Sequence, residues 1–251
     1  MKVLVATQKP FAAAAVNGIK DILSKAGHEV VLFEKYAEQA DLVAACADAD
    51  AMIIRSDKVT SEVLDAAKNL KIVVRAGAGY DNVDLEAATA HNVVVENTPG
   101  QNANAVAELA LGLMIYMCRT QFTPATGSEI MGKKIGIQAF GNVGRLVGSK
   151  AKALGMSVMA IDPFLTPEKI NEGGAEPAES LEAMYAACDF VSLHIPATPQ
   201  TIKSIGYDLI TKMPKGATLI NTARKEVIDE EGLEKALEER TDLKYVADVA
   251  P

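Results

Sequence analysis

The chain has 251 residues, of which 49% are hydrophobic, 23% charged and 5% aromatic, and its formal net charge is −8. This apolar content, without low-complexity runs, excludes an intrinsically disordered protein. Three widely spaced cysteines exclude a disulfide scaffold, and no CxxC pair indicates a zinc site. The acidic balance argues against general binding to nucleic acid or anionic membranes, although an anionic small molecule needs only a few local cations.

The amino-terminal segment predicts a strand rather than an export signal. Residues 1–7 contain one lysine and a short apolar run, and Gln8, Lys9 and Pro10 follow directly. The most apolar stretch, 109–118, is too short to span a bilayer. We therefore expect a soluble protein of the reducing cytoplasm, without a membrane segment.

In the first part of the chain, short β-branched runs alternate with longer amphipathic runs. Strands are predicted at 2–6, 29–34, 51–55, 71–76 and 93–97, and helices at 11–26, 36–47, 61–68 and 84–90. Gly27 stands where a helix commonly ends. This alternation predicts a parallel sheet with helices on both faces.

A long helix, predicted at 102–118, precedes a second series of the same kind. Strands are predicted at 133–140, 156–162, 189–195, 217–223 and 244–250, with a helix at 143–154 between the first two. Another helix opens at Asp229, whose side chain is predicted to cap it. We therefore predict two α/β lobes with parallel sheets, residues 1–97 and 98–251.

The segment AFGNVG, residues 139–144, lies between a predicted strand and a predicted helix and is a variant of the GxGxxG fingerprint. Gly141 lets the backbone approach a pyrophosphate, and Gly144 lets the helix pack closely on the strand. The amides of Asn142 and Val143 open the helix and can donate to phosphate. Ala139 replaces the first glycine, which we expect to require a negative φ at that position.

Asp162 follows the next predicted strand, where a carboxylate accepts hydrogen bonds from the adenosine ribose. Its charge would repel a 2′-phosphate, so the pattern predicts NAD rather than NADP as the cofactor. A tight strand-to-helix turn in a protein that binds no nucleotide is the alternative interpretation.

Three further segments stand in a fixed order around this fingerprint: RAGAGYDNVD (75–84), LHIPATPQTI (193–202) and NTARKEVIDEEGL (221–233). Together they resemble the D-isomer specific 2-hydroxyacid dehydrogenase family over essentially the whole chain. Within that family, IIRSDKVT (53–60) and NTPGQNANAVAE (97–108) resemble the branch that acts on 3-phosphoglycerate. The resemblance implies a flavodoxin-like substrate lobe, a Rossmann lobe that binds NAD, and oxidation of a 2-hydroxy acid.

The resemblance also implies a set of substrate contacts. Arg224 would be the catalytic arginine that grips the carboxylate and polarises the C2 oxygen, although the same residue alone would suit a surface ion pair. Backbone amides of one loop would bind the substrate carboxylate, an Arg-Ser pair would bind its phosphate, and an asparagine of the other lobe would add a polar contact. These residues are Gly77, Ala78 and Gly79, then Arg55 and Ser56, then Asn102. The Arg-Ser pair could equally solvate a strand end.

Cofactor contacts follow from the same resemblance. His194, Ile195 and Pro196 would flank the cofactor largely through their backbone, and we interpret His194 as structural rather than as a catalytic base. Thr222 and Ala223 would approach the nicotinamide. The full predicted cofactor set is Gly141, Asn142, Val143, Gly144, Asp162, His194, Ile195, Pro196, Thr222, Ala223, Arg224 and Asp248. No cluster of metal-ligating residues is predicted.

The expected reaction is oxidation of the C2 hydroxyl of 3-phosphoglycerate to 3-phosphohydroxypyruvate, the entry to serine biosynthesis, by a homodimer formed through the cofactor lobe. A glyoxylate or hydroxypyruvate reductase, which needs no phosphate site, and an NAD-binding regulatory module without turnover are the alternatives. Family members continue beyond the position of Pro251 with a segment that supplies the general acid/base. We therefore expect the sequence to be a truncated copy of an enzyme, with a short non-catalytic variant as the alternative.

Overall fold

The computed structural model of the protein describes residues 1–248, which form two compact units that divide between Gln101 and Asn102. The predicted lobe boundary, at Asn97, falls shortly before this division. We refer to residues 1–101 as unit 1 and to residues from 102 onward as unit 2. Each unit is built around its own parallel sheet.

Unit 1 contains a five-stranded sheet in the order β2-β1-β3-β4-β5, with every pair parallel. Its strands are β1 Lys2–Thr7, β2 Glu29–Glu34, β3 Ala51–Ile54, β4 Ile72–Arg75 and β5 Val94–Asn97, and its helices are α1 Ala13–Lys25, α2 Gln39–Ala45, α3 Ser61–Ala66 and α4 Leu85–Ala90. This is the flavodoxin-like strand order, whose direction reverses between β1 and β3. Ligands of open parallel sheets bind outside the carboxyl ends of the strands at such a reversal.

The core of unit 1 follows from the position of β1 inside the sheet. Val3, Leu4, Val5 and Ala6 are all buried, because strands flank β1 on both sides and helices cover both faces. At the end of α1, Gly27 has a φ of +77°, and His28 donates its amide to the Leu23 carbonyl at 2.9 Å. This is the left-handed helix end that the glycine predicted.

Unit 2 contains a six-stranded parallel sheet in the order β11-β10-β9-β6-β7-β8. Its elements are α5 Ala103–Cys118, β6 Lys134–Gln138, α6 Asn142–Ala153, β7 Ser157–Ile161, α7 Pro167–Glu172, β8 Glu176–Pro177, α8 Leu181–Ala187, β9 Phe190–Leu193, α9 Tyr207–Ile210, β10 Thr218–Asn221, α10 Glu230–Glu239 and β11 Lys244–Ala247. This is the Rossmann order, which reverses between β6 and β9. The predicted pair of α/β lobes with parallel sheets is confirmed.

Four short elements of unit 2 (α7, β8, α8 and α9) were not predicted from the sequence. They are too short for a hydrophobic period to emerge, although two of them carry local start signals. Thr166 caps α7 just before Pro167, and Ser180 accepts the Ala183 amide at 3.1 Å at the start of α8. These capping residues were the signals that could have located both helices.

Two predictions at the end of unit 2 need correction or restriction. Asp229 precedes α10, but its side chain makes no capping hydrogen bond, so that prediction is wrong. The carboxylate is turned instead toward Gly206 and Gly232, where a side chain at either position would crowd it. The final strand, predicted to reach 250, ends at Ala247, and residues 249–251 lie outside the described residues.

No helix within residues 1–248 combines the length and apolar character needed to cross a membrane. In the same part of the chain, no group of three or more His, Cys, Asp or Glu side chains is arranged to hold a metal ion. Cys46, Cys118 and Cys188 are free thiols and buried. Burial raises the pKa of the Cys188 thiol to about 12, so it stays protonated and unreactive near neutral pH.

Candidate functional site

In unit 2, the loop between β6 and α6 carries the fingerprint. α6 begins at Asn142, with Gly141 at its N-cap. A side-chain carbon placed on Gly141 would meet nothing within 4 Å, so open space lies beside this backbone. Within residues 1–248, the amides of Asn142 and Val143 have no hydrogen-bond acceptor. The helix therefore presents free donors, at its positive dipole end, to an open space.

Gly144 has a different reason to be a glycine. A side-chain carbon there would lie 2.3 Å from the Ala139 carbonyl oxygen and 3.0 Å from Cγ2 of Ile137. Only a residue without a side chain lets α6 pack this closely against the end of β6. The two later fingerprint glycines thus serve different purposes, one facing open space and the other the protein interior.

The conformation of Ala139 corrects an expectation. Its φ is +72°. The expectation of a negative φ, which would have made alanine acceptable at this position, is therefore wrong. The Ala139 amide donates to the Ile161 carbonyl at 2.9 Å, and its own carbonyl presses against Gly144. The chain must turn between these two contacts, and the left-handed conformation achieves it. For an alanine this costs roughly 1–2 kcal/mol.

Asp162 lies beside the fingerprint turn and is fixed by it. One carboxylate oxygen accepts the Phe140 amide at 2.8 Å, and the other accepts the Phe164 amide at 2.9 Å. Each ionised carboxylate oxygen has a second lone pair, so the half-buried group can still accept from ribose hydroxyls. The sequence pattern indicated the ribose role but not this cross-link between the two loops.

His194 follows β9 at the point where the strand order reverses. Its amide donates to the Gln138 carbonyl at 3.0 Å, which ties the ends of β6 and β9 together, and its ring lies 3.0 Å from the Ser192 hydroxyl. Burial lowers the pKa of His194 to about 4. The imidazole is therefore neutral at pH 7, and it is the backbone amide of His194, not its ring, that fixes the chain leading into Ile195 and Pro196.

The turn that carries Arg224 is organised by Asn221, which is completely buried. The Asn221 side-chain amide donates to the Arg224 carbonyl at 2.9 Å, and its oxygen accepts the Ala223 amide at 3.0 Å. It also donates to the hydroxyl of Tyr245 at 3.2 Å. Asn221 and Tyr245 were missed as site residues, because a buried amide between two strands leaves no periodic signal in the sequence.

The predicted nicotinamide contacts around this turn differ in their surroundings. Thr222 is only 8% exposed, and its hydroxyl has no hydrogen-bond partner within residues 1–248. Arg224 is half-buried and donates one guanidinium nitrogen to the Ala223 carbonyl at 2.8 Å. Asp248 is exposed, and its amide lies 3.4 Å from the Asn221 carbonyl oxygen.

These features fit the groups of a dinucleotide. The free amides of Asn142 and Val143 suit a pyrophosphate, and the space at Gly141 admits it. The fixed carboxylate of Asp162 suits a ribose without a 2′-phosphate. The buried, unpartnered hydroxyl of Thr222 supplies a polar atom that a bound group would satisfy.

In unit 1, Arg55 follows β3, at the point where the strand order of the sheet reverses. One terminal guanidinium nitrogen, Nη1, donates to the carbonyls of Lys9 and Pro10, both at 3.1 Å, and the group lies 5.4 Å from the centre of the Phe11 ring. Nε and Nη2 have no partner within residues 1–248. Ser56 beside it is exposed. Two donor groups are thus available to an anion.

The glycine-containing loop after β4 is partly committed to the protein itself. A side-chain carbon on Gly77 would lie 1.1 Å from the Arg75 guanidinium, so this glycine makes room for Arg75 rather than for a ligand. The Gly77 amide already donates to the Arg75 carbonyl at 2.8 Å. Within residues 1–248, the amides of Ala78 and Gly79 have no acceptor and are the ones able to bind a carboxylate. Arg75 was not singled out from the sequence.

Asn102, the last predicted substrate contact, belongs to unit 2. It stands at the N-cap of α5 and is exposed, and its side chain makes no capping hydrogen bond. The side-chain amide of Asn102 is therefore not used to cap α5.

The two strand orders, the fingerprint turn and the fixed carboxylate after β7 define a dinucleotide-binding α/β protein with a second, flavodoxin-like unit. Residues 115–251 match the family model described as the D-isomer specific 2-hydroxyacid dehydrogenase, NAD binding domain. The chain belongs to the D-isomer specific 2-hydroxyacid dehydrogenase family, as the sequence motifs predicted. NAD is accordingly the cofactor of unit 2, which confirms that prediction.

Curated relatives and solved structures agree with this assignment. The chain is 37% identical over 213 residues to D-3-phosphoglycerate dehydrogenase of Methanocaldococcus jannaschii, covering 79% of this chain but 41% of that protein. It is also 37% identical over 222 residues to hydroxypyruvate reductase of Thermotoga maritima, covering 82% and 70%. A NAD+-bound 3-phosphoglycerate dehydrogenase structure from Entamoeba histolytica superposes with a TM-score of 0.94 at 48% identity, over 100% of this chain and 81% of that one.

Proposed function

We propose that the protein oxidises the C2 hydroxyl of 3-phosphoglycerate to 3-phosphohydroxypyruvate, at the entry to serine biosynthesis. The observation that carries the proposal is the hydrogen bonding of the Arg55 guanidinium. Its guanidinium is held by two carbonyls at the strand reversal of unit 1, while Nε and Nη2 remain available. Two donors in a fixed orientation match the paired oxygens of a phosphate group.

The remaining substrate groups find partners of suitable chemistry. The amides of Ala78 and Gly79 would bind the carboxylate. Arg224, by the family resemblance, would stabilise the negative charge on the C2 oxygen. When bound, NAD would accept the hydride from C2, and the proton of the C2 hydroxyl would leave to a general base or to water.

Hydroxypyruvate reduction is the second candidate, because one relative that covers 82% of this chain has that name. The two functions differ in their need for a phosphate contact. Arg55→Ala should weaken binding of 3-phosphoglycerate by at least about 100-fold, since two hydrogen bonds to a charged group contribute roughly 1.5–3 kcal/mol each. Binding of D-glycerate, which lacks the phosphate, should not change. Calorimetry on the NAD-loaded protein measures both affinities.

The outcomes separate three interpretations. Loss of 3-phosphoglycerate binding alone supports the phosphoglycerate assignment. Wild-type protein that binds both compounds equally, with no effect of Arg55→Ala, supports the reductase. NAD binding without affinity for either compound, and without formation of NADH, supports a regulatory module instead.

We also propose that the protein forms a homodimer through unit 2. Large apolar side chains are exposed along α5 and on elements that follow it: Leu109, Ile115, Phe122, Met131 and Leu154, with exposed fractions of 38–69%. Such a concentration is typical of a surface covered by a second chain. Sedimentation equilibrium would give twice the chain mass if the proposal holds and a single chain mass if it does not. A cytoplasmic location stays a prediction.

A further inference from the structure

Asp57 is a buried carboxylate directly behind the Arg55–Ser56 pair. It is only 5% exposed, yet it accepts three hydrogen bonds. Oδ1 accepts the Gln8 amide and the Tyr36 hydroxyl, both at 2.7 Å, and Oδ2 accepts the Arg55 amide at 3.1 Å. A buried carboxylate persists only where donors converge on it, so this loop is built around Asp57.

Asn82 completes the arrangement from the other side. Its side-chain amide donates to the Arg55 carbonyl at 3.2 Å and to the Asp57 carbonyl at 2.7 Å. The backbone of Arg55 is therefore fixed at both of its polar groups, by Asp57 at the amide and by Asn82 at the carbonyl. Neither contact uses the guanidinium.

The same carboxylate also fixes the acceptors of that guanidinium. Gln8, whose amide Asp57 accepts, directly precedes Lys9 and Pro10, whose carbonyls accept from Nη1 of Arg55. Asp57 thus bridges the ends of β1 and β3, the two strands between which the order of the unit 1 sheet reverses. Asp57 therefore fixes both the backbone from which the Arg55 side chain starts and the carbonyl groups that orient its guanidinium.

We propose that Asp57, assisted by Asn82, is the positioning residue that makes unit 1 selective for a phosphorylated over an unphosphorylated 2-hydroxy acid. The inference rests on the proposed function, because it concerns the same phosphate contact. Asp57 itself touches no substrate. It holds the free Nε and Nη2 donors of Arg55 in one orientation, and losing one hydrogen bond to a charged group lowers binding affinity about 10- to 100-fold.

Asp57→Asn tests this with almost no change in volume. Asparagine has one acceptor oxygen, so if that oxygen keeps Gln8 and Tyr36, its amide group faces the Arg55 amide, donor against donor. Tyr36→Phe is the matched control. It removes one of the three donors to Asp57 but keeps the ring stacked on Phe33 at a centroid distance of 5.1 Å, and it leaves both backbone contacts in place.

The measurement is calorimetry on the NAD-loaded, full-length protein with 3-phosphoglycerate and with D-glycerate. In Asp57→Asn, the affinity ratio between the two compounds should fall about 10- to 100-fold, while the affinity for D-glycerate, and that for NAD titrated into the unloaded protein, stay at wild-type values. Tyr36→Phe should keep the wild-type ratio. A general loss of structure would instead lower all three affinities together.

Asn82→Ala provides a second, less buried variant should Asp57→Asn fail to fold, and it should lower the same ratio by removing the support of the Arg55 carbonyl. If Arg55→Ala abolishes the ratio while Asp57→Asn and Asn82→Ala retain it, the positioning role is refuted and the proposed function stands. If the wild-type protein does not distinguish the two compounds, both proposals fail.

Discussion

The two units place hydrogen-bond donors suited to an anion at equivalent points of their sheets, where the strand order reverses, but they build them differently. Unit 2 offers backbone amides at the start of α6, beside a glycine that leaves open space. Unit 1 offers an arginine side chain, held in place by the buried Asp57. The comparison shows that a helix terminus supplies donors through backbone geometry alone, whereas an arginine needs a second network to fix its direction.

Unit 2 also contains an ionisable side chain, His194, that its surroundings keep neutral. Its lowered pKa, about 4, means that the unfolded chain binds a proton between about pH 6.5 and pH 4 that the native state does not. The free energy of unfolding should therefore fall as the pH drops through this window, by on the order of 3 kcal/mol. Urea denaturation of wild type and His194→Gln across the window measures it, and the variant should lose this dependence.

His91→Gln is the control of opposite sign. Hydrogen bonds to the Ala87 carbonyl and to Asp65 raise the pKa of this exposed histidine of unit 1. The contribution of His91 to the free energy of unfolding is present below its pKa in the unfolded chain and is lost as the pH rises through its pKa in the folded protein. A wild-type acid sensitivity that persists unchanged in His194→Gln would contradict the assignment of a neutral, buried imidazole.

The fingerprint glycines allow the next test, since one faces the protein and the other open space. Gly144→Ala should destabilise the protein by about 2 kcal/mol, because its side chain would press on the Ala139 carbonyl. Gly141→Ala should leave thermal stability unchanged and weaken NAD binding. Thermal unfolding and NAD titration on both variants check this, and equal loss of stability in both would refute the distinction.

The smallest effect is expected at Ala139. Replacement by glycine removes the cost of a positive φ and should stabilise the protein by about 0.5–1 kcal/mol after the greater entropy of an unfolded glycine is counted. A small rise in the midpoint of thermal unfolding is the expected result. A lower midpoint would show that the alanine side chain makes contacts that outweigh its backbone strain.

Much of the fold was predictable from periodicity and glycine placement. Strands such as β1 and helices such as α1 follow from apolar spacing, and Gly27 indicated the end of α1 correctly. The short α7 and α8 were missed because one or two turns carry too few residues for a period. Residue type alone predicts a cap at Asp229, but its carboxylate instead occupies the space that Gly206 and Gly232 leave by having no side chain.

The sequence by itself determined the two parallel sheets, the family and NAD as the cofactor, because these depend on local features: alternating elements, a fingerprint turn and a carboxylate after the next strand. Only the tertiary structure showed that Asp57 joins Gln8 to Arg55 and that Asn221 organises the turn of Arg224. The contact between Gln8 and Asp57 joins residues 49 positions apart, and the contacts of Asn221 within its own turn depend on its complete burial. Their energy depends on burial and on donor geometry, which no spacing of residue types records.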